Sequence, residues 1–332
     1  MLLGAAIAAA ATYLFLLFWL AAKRDRNAPV WLTRHSGVIY ALSLAVYCTG
    51  WTFYGGVGSA ASAGLQYLPI YLGPILVFTL GFGLVRKVLA QSKAQHSTSI
   101  ADFLSARYGK SAAVAAAVTA IATVGALPYM ALQLRSLAAS LMVLSPGLDS
   151  RIGAEELVAA MALTMGAFAI LFGSRRADSA GDNAGLVLTI AVEAVVKLVA
   201  LIAVACLALV LLVSGGEAPA PASAVFATAQ IDARFAVLTV IAACAALCLP
   251  RQFHMAFVEA PSEHAGGAMQ WVFPAYLAVT ALVIVPIVLA GIAVLPAGTN
   301  PATIVLALPM ASGQTALALL VFLGGFSAAA GM

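Results

Sequence analysis

Apolar runs of about 20 residues or more succeed one another along nearly the whole chain, and they narrow its possible folds more than any other feature. Each is long enough, as a helix, to cross the hydrocarbon of a bilayer. About nine such spans stand at 1–22, 36–62, 66–85, 112–143, 157–173, 184–214, 235–258, 268–295 and 313–332. The expected fold class is an all-α polytopic membrane protein, with residues 1–332 as a single transmembrane domain and the lipid bilayer as its first partner.

Composition enters as a check. Hydrophobic residues make up 64% of the chain and charged residues 8%. A water-soluble domain carries roughly a quarter charged residues, so this chain could not cover itself in water. The net charge of +4 is too diffuse to argue for nucleic acid, because no Lys/Arg cluster is interleaved with exposed aromatics. No P-loop, kinase ATP-binding signature or phospho-acceptor histidine region is present, and no catalytic constellation is expected.

The segments between spans set the topology. Lys23, Arg24, Arg26 and Arg34 follow the first span. Arg86, Lys87, Lys93, Arg107 and Lys110 fall in 86–111, and Arg175 and Arg176 in 174–183. The alternate segments hold only Arg151 and Arg234 beside Asp149, Glu155, Glu156, Glu217 and Asp232. The positive-inside rule makes the first three segments cytoplasmic and the N-terminus external. Met1 to Ala22 lacks a basic stretch ahead of its apolar run, so it reads as a first span and not as a cleaved signal. Val321 to Met332 reads as a helix in progress.

Cys48, Cys206, Cys244 and Cys248 all lie in apolar runs and read as packing residues. His35, His96, His254 and His264 are too scattered for a metal cluster. The 215–223 segment is a loop by its glycine and proline content.

Two spans are irregular. The 36–62 run contains Thr49, Gly50, Trp51, Thr52, Tyr54, Gly55 and Gly56 at mid-membrane depth. Broken backbone at that depth is tolerated where it lines a cavity, though Gly55, Gly56 and Gly58 also suit close helix packing. The 235–258 run is interrupted at Leu249-Pro250. Two interrupted spans five helices apart point to an inverted-repeat transporter with its site near the midplane. Three intramembrane charges stand out. Glu193 and Lys197 are four apart and can pair on one helix face, as a structural pair or as a coupling pair. Arg135 is near enough a span end to snorkel. Tyr129 and Gln133 share a face and could line a pathway.

Four stretches occur in order: Tyr47-Cys48-Thr49-Gly50-Trp51-Thr52-Phe53-Tyr54-Gly55, Thr98 to Leu104 with Arg107-Tyr108-Gly109, Leu127 to Leu134, and Pro250-Arg251-Gln252-Phe253-His254 with Val258-Glu259. Together they resemble the sodium/solute symporter family, and most closely the symporter-like N-terminal domain of bacterial, often hybrid, sensor histidine kinases. The resemblance implies a LeuT-type fold of two five-helix inverted repeats after one extra helix. Core helix one would be 36–62, core helix six 235–258 and core helix eight 313–332, with nine and ten lacking. It implies a small organic solute held by Thr49, Gly50, Trp51, Thr52, Tyr54, Tyr129 and Gln133, with an amino acid or small carboxylate as the guess.

It also implies sodium as coupling ion, on the carbonyls of Ala45 and Cys48 and the hydroxyl of Ser327. Ser327 is followed by Ala328, Ala329 and Ala330, so one hydroxyl stands where the family has two. Tyr47 stands where the symporters have an acidic residue. The function so implied is sodium-coupled transport or sensing in the bacterial inner membrane, as input to a fused or downstream histidine kinase and its response regulator. A stand-alone symporter and a non-transporting solute receptor are the alternatives.

Overall fold

The computed structural model describes residues 2–26, 35–145, 147–148, 152–168, 184–214, 222–227, 230–261 and 266–330. Helix dominates, and no strand occurs among the described residues. The chain is an all-helical, multi-pass membrane protein. Four helices are long and apolar enough to cross a membrane, or up to seven if each bent pair is one span. Large exposed apolar side chains, such as Phe15, Leu80 and Val213, are what a lipid-facing surface requires.

Helix α1 is Leu2–Arg26. Helix α2, Ser36–Ser43, tightens into a 3-10 turn at Leu44–Tyr47. A π turn at Trp51–Gly55 then leads into α3, Gly56–Ala63. Helices α4 (Pro69–Thr79) and α5 (Phe82–Ala94) follow, then α6 (Ile100–Ala106) and the long α7 (Ala112–Leu144). Helix α8 is Ala154–Phe168 and α9 is Ala184–Ser214. Helix α10 (Ala233–Cys248) is followed by α11 (Pro250–Phe253) and a π turn at His254–Val258. Helix α12 is Gly266–Val294, α13 is Ile304–Ala311 and α14 is Thr315–Ala330.

Helix occupies most of the described residues in each of the nine expected spans; 169–173 and 331–332 lie outside the described residues. The expected span 66–85 is two helices, α4 and α5, which meet at 72° at Leu80-Gly81 and run on to Ala94. The residues from 169 to 183, with Arg175 and Arg176, lie outside the described residues. So do Arg34, Asp149, Arg151, the 215–221 part of the glycine- and proline-rich loop with Glu217, His264 and Met332.

Without water in the core, every main-chain polar group needs a protein partner. Buried tyrosines supply many of them. Tyr40 Oη donates to Ala256 O (2.7 Å), Tyr67 Oη to Ala281 O (2.9 Å), Tyr71 Oη to Thr52 O (3.0 Å) and Tyr276 Oη to Ala194 O (3.1 Å). Each ring fills the core while its hydroxyl ties one helix to the backbone of another.

Small residues set the closest approaches. A Cβ on Gly73 of α4 would lie 2.5 Å from Ala243 N and 2.6 Å from Thr239 O of α10, so the two backbones touch there. Gly56 and Gly58 behave similarly: a Cβ would lie 2.6 Å from Tyr71 Oη and 3.0 Å from the Ala302 backbone. The polar stretch at 98–104 has a local explanation. Ser99 caps α6 by accepting from Asp102 N (3.1 Å), and the Asp102 carboxylate reaches back to accept from Thr98 N (3.0 Å), just ahead of the cap.

Candidate functional site

Besides the bend between α4 and α5, two helices are broken where their glycine and proline content leads one to expect. The first break is at Cys48, whose extended backbone (φ −82°, ψ 100°) turns the chain between Ser36–Tyr47 and Trp51–Tyr67 by 73°. The second is at Leu249 (φ −61°, ψ 128°), where Ala233–Cys248 and Pro250–Val258 meet at 56°. Proline after Leu249 disfavours helical geometry at that residue, which accounts for the place of the break. A π turn follows each break, at Trp51–Gly55 and His254–Val258. The two breaks pack against each other, the 44–47 turn lying beside both α11 and the second π turn.

Tyr129 of α7 ties the breaks together. Its hydroxyl forms a short hydrogen bond with Thr49 Oγ1 and accepts from Arg251 Nη2 at 3.3 Å. The Arg251 guanidinium also stacks over the Tyr129 ring, 5.0 Å from its centre. One turn along α7, Gln133 Nε2 donates to Thr49 Oγ1 (3.0 Å), while Gln133 Oε1 accepts from Trp51 N (3.1 Å). That main-chain N–H is one of the donors freed where a helix restarts. Glycine at 50 leaves room for this amide, because a Cβ on it would run into Gln133 Oε1. Thr49, Gly50, Trp51, Tyr129 and Gln133 therefore meet as expected, and Arg251 joins them.

Thr52 and Tyr54 do not share this cluster. Thr52 Oγ1 donates to Thr49 O (2.7 Å) and steadies the break from within. The π turn carries Tyr54 to the opposite side, into a small recess lined by Ser136, Ala139, Ser140, Ala302, Thr303 and Leu306. Its hydroxyl has no hydrogen-bond partner, and the Ser140 hydroxyl beside it donates to Leu137 O (2.7 Å). The Tyr54 ring is clamped by α14, since a Cβ on Gly325 would overlap it.

Two buried polar groups at the second break lack protein partners. One is Arg251 Nη1, the other the Gln252 amide, whose oxygen and nitrogen are both unpaired. Buried polar atoms are nearly always satisfied, so unpaired ones mark a place for something else to bind. Sequence reasoning missed Arg251. The signal was present: an arginine inside an apolar span is an intramembrane charge like Glu193 and Lys197. Arg135, by contrast, is exposed, in keeping with snorkelling.

Glu193 and Lys197 are both buried on α9, at 5% and 3% exposure. They do not form an ion pair with each other; His254 and Glu259, at 3.0 Å, do. Lys197 reaches across to the first break instead. Its Nζ donates to Cys48 O at 2.8 Å and to Ala45 O at 3.4 Å. Ser327, buried on α14, bonds Tyr13 Oη of α1 at 2.8 Å.

These contacts bear on a sodium ion at Ala45 O, Cys48 O and Ser327. Hard cations collect several oxygen ligands. Here both carbonyls already accept from an ammonium, and the hydroxyl is engaged with Tyr13. Two unit positive charges about 4 Å apart repel by about 4 kcal/mol at an effective dielectric of about 20. With these three oxygens engaged, the residues as arranged do not fit sodium. No family model, curated protein or solved structure matches the chain.

Proposed function

We propose that this chain is a transporter-like membrane domain that binds a small organic solute between its two broken helices, and that it serves as the membrane input of a sensor histidine kinase. The observation that carries the reading is the meeting of the two breaks at Tyr129, with Arg251 Nη1 left unpaired beside them. Interrupted helices of this kind place half-helix ends and freed backbone groups around a midplane site. The two breaks lie five spans apart, which supports a LeuT-type inverted repeat preceded by α1.

The chemistry favours a solute bearing a carboxylate, an amino acid or a small organic acid. An arginine with a free N–H, a threonine hydroxyl and a tyrosine hydroxyl suit a planar anion. In this form Tyr129 closes directly onto Thr49, so solute entry requires those two hydroxyls to part. That is a gate of the kind alternating access uses. The reading contains no sodium step.

The test is a panel of amino acids and small carboxylates against the purified domain, read by thermal shift and then by uptake into proteoliposomes. A binder is expected to lose affinity about tenfold or more in Arg251→Gln, the loss of a charge-assisted hydrogen bond worth about 1.5–3 kcal/mol. Binding with uptake supports a transporter; binding without uptake leaves a receptor. Solute-dependent autophosphorylation of a kinase joined to the domain tests the signalling half. If no member of the panel binds, or if Arg251→Gln binds as wild type, the site is misassigned.

A further inference from the structure

The carbonyls of Ala45 and Cys48 cap the end of the first half-helix. A helix C-terminus carries partial negative charge and unpaired C=O groups, so it attracts a cation. Ala45 O accepts one local bond, from Cys48 N at 2.9 Å. Cys48 is extended, and the helix that restarts beyond it pairs Phe53 N with Thr49 O (2.9 Å). In the absence of water, such carbonyls need a donor from elsewhere.

Lys197 is that donor. It lies mid-way along α9, far from either helix end where a lysine could snorkel, and is only 3% exposed. Its side chain extends toward the break and brings Nζ to hydrogen-bond distance of Cys48 O. Glu193, on the same face one turn back, compensates the charge without contacting it. The arrangement has the parts of a cation site: helix-end carbonyls, a buried carboxylate nearby, and the Lys197 amino group on the carbonyls.

We propose that the Lys197 ammonium is a tethered cation, which fills the charge site at the first break and lets the domain hold its closed form without bound sodium. The statement about the cation site rests on these contacts alone. That the form so held is a closed, gated one rests on the function proposed above.

The experiment uses the purified chain in lipid nanodiscs, with radiolabelled sodium as the probe. Wild type is expected to show no saturable sodium binding. Lys197→Ala vacates the carbonyls while leaving Glu193, and is expected to gain saturable binding that unlabelled sodium displaces and choline does not. Its melting temperature should rise in sodium chloride relative to choline chloride, where that of wild type does not. Ethylammonium, which restores the missing group, should raise it too. Lys197→Met keeps the side-chain bulk over the carbonyls, and is expected to gain less sodium binding than Lys197→Ala.

Saturable sodium binding by wild type overturns the proposal. So does a folded Lys197→Ala that neither binds sodium nor responds to ethylammonium. Should Lys197→Ala not fold, the double variant Glu193→Gln with Lys197→Ala removes the uncompensated carboxylate. Ethylammonium stabilisation of that variant supports the proposal, and its absence counts against it. No solute takes part in these measurements, so failure to find a transported or sensed solute would leave this result standing, and the reverse.

Discussion

Gly50→Ala should change sign with its background. Gly50 has helical backbone (φ −55°, ψ −32°), where alanine alone would gain about 1 kcal/mol in helix propensity. Its added Cβ, however, would overlap Gln133 Oε1. Gln133 must then swing away from Trp51 N, at 3.1 Å, and from Thr49 Oγ1, at 3.0 Å. Hydrogen bonds between membrane helices average about 0.6 kcal/mol each, and an orphaned buried N–H costs about 1–3 kcal/mol. Net of the propensity gain, Gly50→Ala should destabilise by about 1–3 kcal/mol. Gln133→Ala loses the same bonds and should cost about 2–4 kcal/mol. In Gln133→Ala the space beside Gly50 is open, so adding Gly50→Ala should be neutral or stabilise by up to about 1 kcal/mol. The coupling, about 2 kcal/mol, is within the range for contacting residues. Reversible unfolding of the four proteins in bicelles with rising dodecyl sulfate measures it. Equal cost of Gly50→Ala in both backgrounds would refute the placement of Gln133 in the break.

The remaining predictions are as direct. Gly73→Ala should destabilise by about 1–3 kcal/mol by pushing a methyl between two backbones, whereas Gly83→Ala, with nothing within 4 Å, should be neutral or better; melting curves compare them. Asp232 caps α10 by accepting from Phe235 N (2.9 Å), and this bond, with that from Gln66, holds its carboxyl below the usual value of 3.8. A depressed carboxylate stabilises above its unfolded pKa and loses that contribution as pH falls through 3.8 toward the folded value. Asp232→Ala should therefore lower the melting temperature near neutral pH and flatten its acid dependence, while Asp232→Asn should keep the cap. Cys48 is buried and Cys206, Cys244 and Cys248 are exposed, so a membrane-permeant maleimide should label the last three and spare Cys48. Mass spectrometry of the labelled protein reads this, and Cys48 labelling at the rate of the others would contradict a closed first break.

Much of this fold was legible because a bilayer leaves few choices. Apolar runs of about 20 residues become helices, and the expected bounds at 112–143 and 184–214 differ from Ala112–Leu144 and Ala184–Ser214 by no more than a residue. The breaks at Cys48 and Leu249 were legible from clustered glycine and threonine and from Pro250. The bend at Leu80-Gly81 was not, because Gly73, Gly81 and Gly83 are spread along the apolar run and none of them alone marks where it breaks.

The site was legible only as far as local spacing reaches. Tyr129 and Gln133, four apart on α7, do face Thr49 together. Tyr54 was placed with Thr49 by nearness in sequence, but the π turn between them adds a residue to the helical repeat and rotates it to the far side. Lys197 shows the same limit more sharply. The four-residue rule offers Glu193, the only acidic residue within helical reach. The partners it takes are main-chain carbonyls about 150 residues earlier in the chain, which exist as acceptors only because another helix breaks there. A side-chain pattern cannot encode an acceptor that backbone geometry creates. In a membrane protein, then, a lone lysine on an apolar helix is best matched against every predicted break before it is matched against its neighbour on the same face.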